Sequence, residues 1–533
     1  MSGAPKARTA AKRVHSFLAS RSTLFFVAMA LQIGILVAVL QFFSRSFYLF
    51  YAGNIVLSFA AVVWILNNRS NPAYKLAWII PILAFPIFGG LFYLFFGKTQ
   101  LSRSAKRRMR ESAGRVAQAG DPGEANLAAL RAWNPEAALQ SRYLSAIAGN
   151  PLWRGTATEY LATGEEAFAR IKEALESAQR FIFLEFFIIG EGRMWGEILE
   201  ILERKARGSV DVRVMYDDFG CLNRIPADFE RRLEAKGIHC AVFNPLRPVL
   251  SSSHNHRDHR KILVVDGRIA FTGGINLADE YINEYERFGH WKDNAIRIEG
   301  EAVASFTQMF LELWTHARRK RRAEEESEDS EFSQFSASDF YAPAASVGVD
   351  SDGFVQPYED SPLDEEPVGE CVYLNLIARA KRYLYIATPY LVIDHEMMTA
   401  LTLAARDGVD VRIITPHIPD KWYVHAVTRA NYRPLIESGV RVFEYTPGFI
   451  HQKTFVADGE CGTVGTVNMD FRSLYLHFEC GVWLCGCGSV AAMRDDFLRT
   501  QEESGEVALA DLDGDSFAAR AAGWFLRIFS PML

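Results

Sequence analysis

Apolar positions along the chain fall into two regimes. Before residue 100 they form three near-continuous runs, Leu24–Phe43, Phe47–Leu66 and Leu76–Phe96. Each is about 20 residues, long enough to cross a hydrocarbon core of about 30 Å. The first is too long for the core of a cleaved signal peptide, and no small-residue cleavage site follows it. Basic residues flank both ends: Lys6, Arg8, Lys12, Arg13 and Arg21 before the first run, and Lys98, Arg103, Lys106, Arg107, Arg108, Arg110 and Arg115 after the third. Positive charge marks the cytoplasmic side, so both ends belong inside, which three full crossings cannot satisfy. Either Leu24–Leu66 forms a tight hairpin and Leu76–Phe96, interrupted by Pro81, Pro86, Gly89 and Gly90, dips in and returns, or three spans override the N-terminal charge. An even number of crossings is the favoured expectation. Both arrangements place the bulk of the chain in the cytoplasm, with the basic run lying on anionic headgroups.

Beyond the membrane end, helical periods alternate with short β-rich runs, and the pattern occurs twice. "AFARIKEALESAQR" leads into "FIFLEFFII", as "VYLNLIARAKR" leads into "YLYIATPYLVI"; "GSVDVRVMYDD" is answered by "DGVDVRIITPH", and "AKGIHCAVFNP" by "ESGVRVFEYTP". Phe181 and Tyr383 lie 202 residues apart, Asp211 and Asp410 199, and His259 and His451 192. A slowly shrinking offset is the trace of a duplication of β/α units. Between the copies, "RRKRRAEEESEDSE" from Arg318 and the Ser/Pro/Asp-rich stretch after it predict an exposed tether that buries little. Deleting Glu324–Glu365 is therefore expected to leave fold and activity largely intact. The expected division is 1–97 membrane segments, 98–140 basic juxtamembrane linker, 141–318 first α/β domain, 319–368 acidic linker, 369–507 second α/β domain and 508–533 C-terminal tail. In the tail, Phe517, Trp524, Phe525, Ile528 and Phe529 share one helical face beside Arg520 and Arg527. An interfacial amphipathic helix and a helix docked on the core explain that face equally well.

Composition changes this picture little. A net charge of −6 does not suggest the basic groove of a nucleic-acid binder. Seven cysteines scattered through a long chain read as reduced thiols rather than a disulfide framework.

The chemistry concentrates at the end of each copy. The first carries His259-x-Lys261, then Asp266, then Gly273-Gly274-x-Asn276; the second carries His451-x-Lys453, Asp458 and Gly465-Thr466-x-Asn468. Strand alternation sends His and Lys, two apart, to one face. Two such halves facing each other surround one anion with two imidazoles, two ammonium groups and two amides. That set suits a phosphodiester: cations and amides hold the oxygens, one imidazole attacks phosphorus and the other protonates the leaving alkoxide.

The doubled pattern resembles the paired HKD motifs of the phospholipase D superfamily. The segments "NPAYKLAWIIPILAFPIFGGLFYLFFG", "GGINLADEY", "WKD", "TPYLVID", "EYTPGFIHQKTFVAD", "GTVNMDFRSLYLHFE" and "SPML" are similar to bacterial cardiolipin synthases, over nearly the whole chain. The resemblance implies transmembrane helices followed by two pseudo-twofold-related phospholipase D-like α/β domains sharing one site, with no metal and no cofactor. It implies phosphatidyl transfer between two phosphatidylglycerol molecules through a phosphohistidine, giving cardiolipin and glycerol. A hydrolytic phospholipase D releasing phosphatidic acid and a membrane-tethered nuclease are the alternatives. The expected partners are phosphatidylglycerol and anionic lipids, not nucleic acid, and the expected location is the cell membrane, multi-pass; oligomeric state stays open.

By resemblance His259 is the nucleophile and His451 the acid, although two such similar motifs leave their order open. Lys261, Lys453, Asp266 and Asp458 complete the catalytic set; for the two aspartates, which precede Gly267 and Gly459, a structural carboxylate holding a turn is the competing reading. Asn276, Asn468, Gly274 and Thr466 are the expected phosphate-binding residues. Asp293 for the first half and Glu479 for the second are the expected carboxylates on the far ring nitrogens. The sequence departs from the family pattern at Thr466, where Ser is usual, and at His477, where Asn is usual. His254 and His256 read as loop residues rather than metal ligands. Arg472 and Ser473 read evenly as phosphate contacts or helix caps.

Overall fold

The computed structural model describes residues 48–68, 71–84, 123–149, 151–246, 255–325, 353–363, 366–514 and 516–532, together with isolated positions. The run Phe47–Leu66 becomes helix α1 (Tyr48–Asn67), and the next begins as α2 (Pro72–Ala84). Half of Leu24–Phe43 lies outside the described residues, as do Pro86, Gly89 and Gly90. Among the described residues, no helix is long and apolar enough to cross a membrane.

Helices α3 (Gly123–Trp133) and α4 (Pro135–Ala148) follow, in the stretch expected as a juxtamembrane linker. Leu130, Ala137, Ala138 and Leu144 bury in one core with Tyr358, Val372 and Leu376 of the second half, so this hairpin belongs structurally to that half. The basic linker expected over 98–140 therefore ends in packed structure.

The first half contains β1 (Thr156–Leu161), β2 (Phe181–Phe186), β3 (Asp211–Asp217), β4 (His239–Phe243), β5 (Lys261–Val265), β6 (Ile269–Gly273), β7 (His290–Lys292) and β8 (Ala295–Gly300). Its helices include α5 (Gly164–Ser177) and α6 (Arg193–Arg207). α5 starts where Thr163 accepts from the Glu166 N–H and the Glu166 carboxylate accepts from the Ala162 N–H, a reciprocal cap of two otherwise unpaired donors. Its Ala167, Phe168, Ile171, Ala174 and Leu175 then bury one stripe against the sheet. The second half contains β9 (Phe354–Asp360), β10 (Tyr383–Ala387), β11 (Leu391–Val392), β12 (Asp410–Pro416), β13 (Arg441–Tyr445), β14 (Gly448–Ile450), β15 (Thr454–Ala457), β16 (Cys461–Gly465), β17 (Met469–Asp470), β18 (Glu479–Cys485) and β19 (Ser504–Glu506).

The sheet orders are β1-β8-β6-β5-β2-β3-β4 and β9-β18-β16-β15-β10-β12-β13-β19. Strand for strand they match, with β19 added at one edge. In both, three neighbouring strands run parallel and the rest antiparallel. The sheets share an inner core: Phe183, Ile262, Val264, Ile296 and Ile298 of the first meet Val456, Val464, Val482 and Leu484 of the second. The outer face of each sheet is covered by its own helices. Burial on both faces explains why β2 reads as the unbroken run FIFLEF, with all six residues buried.

The acidic linker expected over 319–368 is corrected at three places. A long helix runs Val303–Glu325. Phe340 is buried, with its ring 5.2 Å from those of Phe181 and Phe183. β9 pairs with all seven residues of β18 and is the counterpart of β1. Its start lies 198 residues after that of β1, within the range of the other repeat offsets.

The tail forms a helix, α7 (Phe517–Ile528). Its inner side docks: a Cβ on Gly523 would lie 2.9 Å from the Ala426 carbonyl, and Leu526 packs on a core of Tyr74, Val392, Val424, Val427, Phe471 and Leu476. Its outer side leaves Phe517 74%, Trp524 63% and Phe525 61% exposed. Through Tyr74, α2 roots in that same core, and the Asn71 side chain donates to Asp394 and to the Tyr475 hydroxyl at 2.8 Å.

Because β9 is a paired strand, Tyr358→Ala should cost about 3 kcal/mol, as expected for a buried aromatic cut back to Ala. Its ring packs against Gly481, and its hydroxyl meets the Thr463 hydroxyl at 3.0 Å. Calorimetric or denaturant unfolding of the purified chain measures this; an unchanged midpoint would mean the strand contributes nothing.

Candidate active site

His259 and His451 sit just ahead of β5 and β15, and the chain that positions each comes from the other half. The His259 N–H donates to the Phe478 carbonyl at 2.9 Å, and the Phe478 N–H returns to the Arg257 carbonyl at 2.8 Å. The His451 N–H donates to the Lys292 carbonyl at 2.7 Å, where β14 runs parallel to β7. In each pairing the next residue of the partner segment is a carboxylate. Glu479 therefore places both oxygens 2.9 Å from His259 Nδ1, and Asp293 places Oδ2 2.7 Å from His451 Nδ1. The two expected carboxylates both lie on histidine Nδ1 atoms, with their pairing exchanged: each half's carboxylate meets the other half's histidine.

The lysines are built alike. Lys261 Nζ donates to the His259 carbonyl and Lys453 Nζ to the His451 carbonyl, each at 2.5 Å. All these groups are buried, with His259 7% and His451 8% exposed. Burial therefore disfavours every charge. It lowers Lys261 to about 8 and Lys453 to about 7, against the pull of Glu479 and Asp293. Burial, then the charge of Lys453, brings His451 down to about 4, with Asp293 opposing. For His259 burial leads again, Lys261, Lys453 and His451 add to it, and the imidazole falls well below its usual range. Both histidines are neutral near pH 7, each presenting Nδ1 to a carboxylate and leaving Nε2 available. Aromatic rings wall the histidines: Phe187 stands 5.0 Å from His259, and Trp291 and Tyr281 stand 5.4 and 5.7 Å from His451.

Several expected roles are corrected. Asp266 and Asp458 lie at the far ends of β5 and β15, roughly 20 Å of extended chain from their histidines. Both adopt left-handed φ, 54° and 57°. The Asp266 carboxylate accepts from the N–H groups of Gln179, Arg180 and Phe181, and that of Asp458 from Lys381, Arg382 and Tyr383. They hold the turns that start β2 and β10 and reach no substrate. Gly274 and Thr466 are not aimed at an anion either. The Thr466 hydroxyl donates to Glu479, and a Cβ on Gly274 would fall 2.0 Å from Asp293 Oδ1. One holds its carboxylate and the other makes room for it. Their N–H groups are committed to the Cys480 and Asn294 carbonyls.

Asn276 is buried, accepting from the Ile188 N–H at 3.0 Å and donating one N–H to the Tyr281 hydroxyl at 2.8 Å. Asn468 is buried with no partner for its Oδ1 among the described residues. His254 lies outside the described residues, and the His256 ring meets the Leu476 carbonyl at 3.0 Å. Asp470, rather than Ser473, caps the helix that carries Arg472. Alternation hides one supporting residue from sequence reasoning: Arg260, between His259 and Lys261, turns to the opposite side and donates to Glu185 at 2.6 Å and Glu359 at 2.9 Å. Tyr281, five residues past Asn276, was also missed, and its signal was that short spacing.

Two PLD-like half-sites on a duplicated sheet define the class of protein. The sequence model described as "Cardiolipin synthase, PLD-like domain" matches residues 171–314 and 373–500, and "Phospholipase_D-nuclease N-terminal" matches 56–98. The chain belongs to the cardiolipin synthase family of PLD-like proteins. An uncharacterized protein of Streptococcus mutans is 40% identical over 89% of this chain and 99% of its own length. Cardiolipin synthases of Halalkalibacterium halodurans and Geobacillus kaustophilus are 31% and 34% identical, over 90% and 89% of this chain and 92% of each relative. The crystal structure of phosphatidylserine synthase from Haemophilus influenzae matches with a TM-score of 0.53 at 14% identity, covering 74% of this chain and 100% of that one, a likeness of fold.

Substitutions separate the two kinds of residue. Gly274→Ala should push Asp293 off His451 and lower turnover per folded molecule at least about 10²-fold, as loss of acid–base help does, and the clash of its Cβ with the His451 carbonyl should also lower the melting temperature. Asp266→Asn should affect stability alone. It weakens charge-assisted bonds at a turn and costs about 1–3 kcal/mol of stability, while turnover per folded molecule stays within about threefold. Steady-state assay and thermal melting of both variants check this.

Proposed function

We propose that this chain is a cardiolipin synthase, a phosphatidyltransferase that works at the membrane on phosphatidylglycerol through a phosphohistidine. The observation that carries the reading is the pair of buried, neutral imidazoles, each with Nδ1 on a carboxylate of the other half and each beside a buried lysine.

His259 is the nucleophile. Burial and the charges of Lys261, Lys453 and His451 hold its basicity well down although Glu479 stands 2.9 Å from its Nδ1, so it stays a free base. Once the bound phosphodiester's charge has drawn a second proton onto His451 at Nε2, His259 Nε2 attacks phosphorus, the bond to the glycerol oxygen breaks, and that oxygen takes the Nε2 proton of His451. Asp293 favours the proton on His451, and the bound phosphodiester's negative charge raises its basicity further. Lys261, Lys453 and the amides of Asn276 and Asn468 hold the non-bridging oxygens. In the second half-reaction the hydroxyl of another phosphatidylglycerol gives its proton to His451, its oxygen bonds phosphorus, and His259 leaves.

The membrane reading rests on where apolar side chains stand. Trp64 of α1, Leu76 and Leu83 of α2, and Trp524 and Phe525 of α7 are all more than half exposed. α2 and α7 share a core containing Leu476, the residue before His477. A bilayer covering that face meets the enzyme beside its site, and the N-terminal runs then insert as the transmembrane anchor, with the catalytic halves in the cytoplasm. Keeping water from the phosphohistidine requires such a mouth.

Purified chain in phosphatidylglycerol vesicles should release glycerol with little phosphatidic acid, and His259→Ala and His451→Ala should each abolish both products. Phosphatidic acid rising in step with glycerol would make the enzyme a hydrolase. Either variant retaining more than about a tenth of turnover would overturn the division of roles.

The pH dependence follows from the lysines. The ammonium groups that hold the anion are lost as pH rises through about 7 for Lys453 and about 8 for Lys261. kcat/KM should therefore fall above pH 7, and because the leaving oxygen needs a protonated His451, it should rise as pH falls from 7 toward about 4. A pH profile that climbs between 7 and 9 would exclude the lysines as protonated anion holders.

A further inference from the structure

The proposed reaction leaves one buried group unused. His477 stands beside the nucleophile, with ring centroids 5.7 Å apart, and its side chain is 11% exposed. Neither of its ring nitrogens makes a hydrogen bond among the described residues, and Nδ1 lies 3.7 Å from Glu479 Oε1. A buried polar group without a partner costs about 1–3 kcal/mol, so an imidazole kept here is matched to something that arrives.

We propose that His259, His477 and Glu479 form a binding site for a divalent transition metal of the zinc class, and that filling it switches the transferase off. The inference builds on the reading of His259 as nucleophile. A ligand atom from each of the three residues lies within 4.8 Å of the others. His259 Nδ1 is 2.9 Å from Glu479 Oε1 and His477 Nδ1 is 3.7 Å from it. Tetrahedral zinc with ligands at about 2.0–2.1 Å sets neighbouring donors about 3.3 Å apart, between those two distances, and two His with one Glu is an established zinc donor set. The carboxylate is itself held by the Thr466 hydroxyl, the outer support that metal-binding carboxylates use. Oxygen-preferring Mg²⁺ and Ca²⁺ do not suit two imidazoles.

Blocking follows from the tautomer. In the metal-free site the single proton of neutral His259 sits at Nδ1, facing Glu479, and Nε2 keeps the lone pair that attacks phosphorus. A metal taking the Nδ1 lone pair leaves that proton at Nε2, so no electron pair faces the phosphodiester. Metal and productive substrate are then alternatives. Lys261 and Lys453 add positive charge nearby and limit the affinity.

The test titrates the full-length chain with Co²⁺ and reads d–d absorption, then repeats lipid turnover with Zn²⁺. One Co²⁺ should bind per chain, with nitrogen–oxygen coordination, and His477→Asn should weaken binding at least tenfold. Zn²⁺ should inhibit, EDTA should restore full turnover, Mg²⁺ should do nothing, and the concentration for half-inhibition should rise at least tenfold in the variant. His477→Gln is the second variant if the first does not fold. No stoichiometric Co²⁺ spectrum, or equal Zn²⁺ sensitivity with and without His477, would overturn the proposal. Because the Co²⁺ isotherm needs no turnover, it stands apart from any failure of the transferase reading.

Discussion

Two short backbone pairings that cross between the halves support everything else in the site. Phe478 locks onto the chain at Arg257–His259, and Lys292 onto the chain at His451. Each lock delivers a carboxylate to the other half's imidazole, across 220 and 158 residues of sequence. Neither histidine can be oriented until the halves dock, so the site and the interface form together. This is also why the inner faces of both sheets are apolar: the shared core supplies the burial that holds the crossing in register.

That core carries an uncommon load of charge. Two imidazoles, two lysines and two carboxylates lie at the seam, and just beneath it Arg260 is enclosed by Glu185, Asp258 and Glu359. Burial pushes Glu185 well up, with Arg260 pulling the other way. Buried ions are tolerated only where opposite charges and hydrogen bonds offset their desolvation. Here the lysines respond by becoming weaker bases, which leaves them partly uncharged near neutral pH and ready to be recharged by an arriving anion. In the proposed reaction a phosphodiester's negative charge offsets theirs.

Both motifs, the duplication and the two orienting carboxylates were legible because each leaves a local spacing that recurs. What crosses between segments was not. Alternation says which face His259 occupies but not whose carboxylate meets it, and so Asp293 and Glu479 were paired with the wrong halves. β9 hid in FVQPYED, a strand whose polar and proline positions sit behind an acidic run, and only its pairing with β18 identifies it. Thr466 and Gly274 were read as phosphate residues because their motif neighbours are; the hydroxyl and the missing Cβ matter to carboxylates that lie 13 and 19 residues further along the chain. The apolar N-terminal runs were plain.

The halves share a topology, yet they are not equivalent, and their orienting carboxylates differ by one methylene. The second half offers glutamate, long enough to set both oxygens 2.9 Å from His259, with the Thr466 hydroxyl steadying it. The first offers aspartate, which must come closer to reach His451, and Gly274 clears the space. Asp293 takes further bonds from the Asn294 N–H at 2.9 Å and the Trp291 indole at 3.4 Å. Burial and the lysines lower both imidazoles, and at His451 the fixed Asp293 carboxylate at 2.7 Å opposes them. In the proposed reaction such a bias assigns attack to one imidazole and proton transfer to the other. Gene duplication supplies two identical tools; a side chain one carbon shorter, and a glycine to admit it, makes them different.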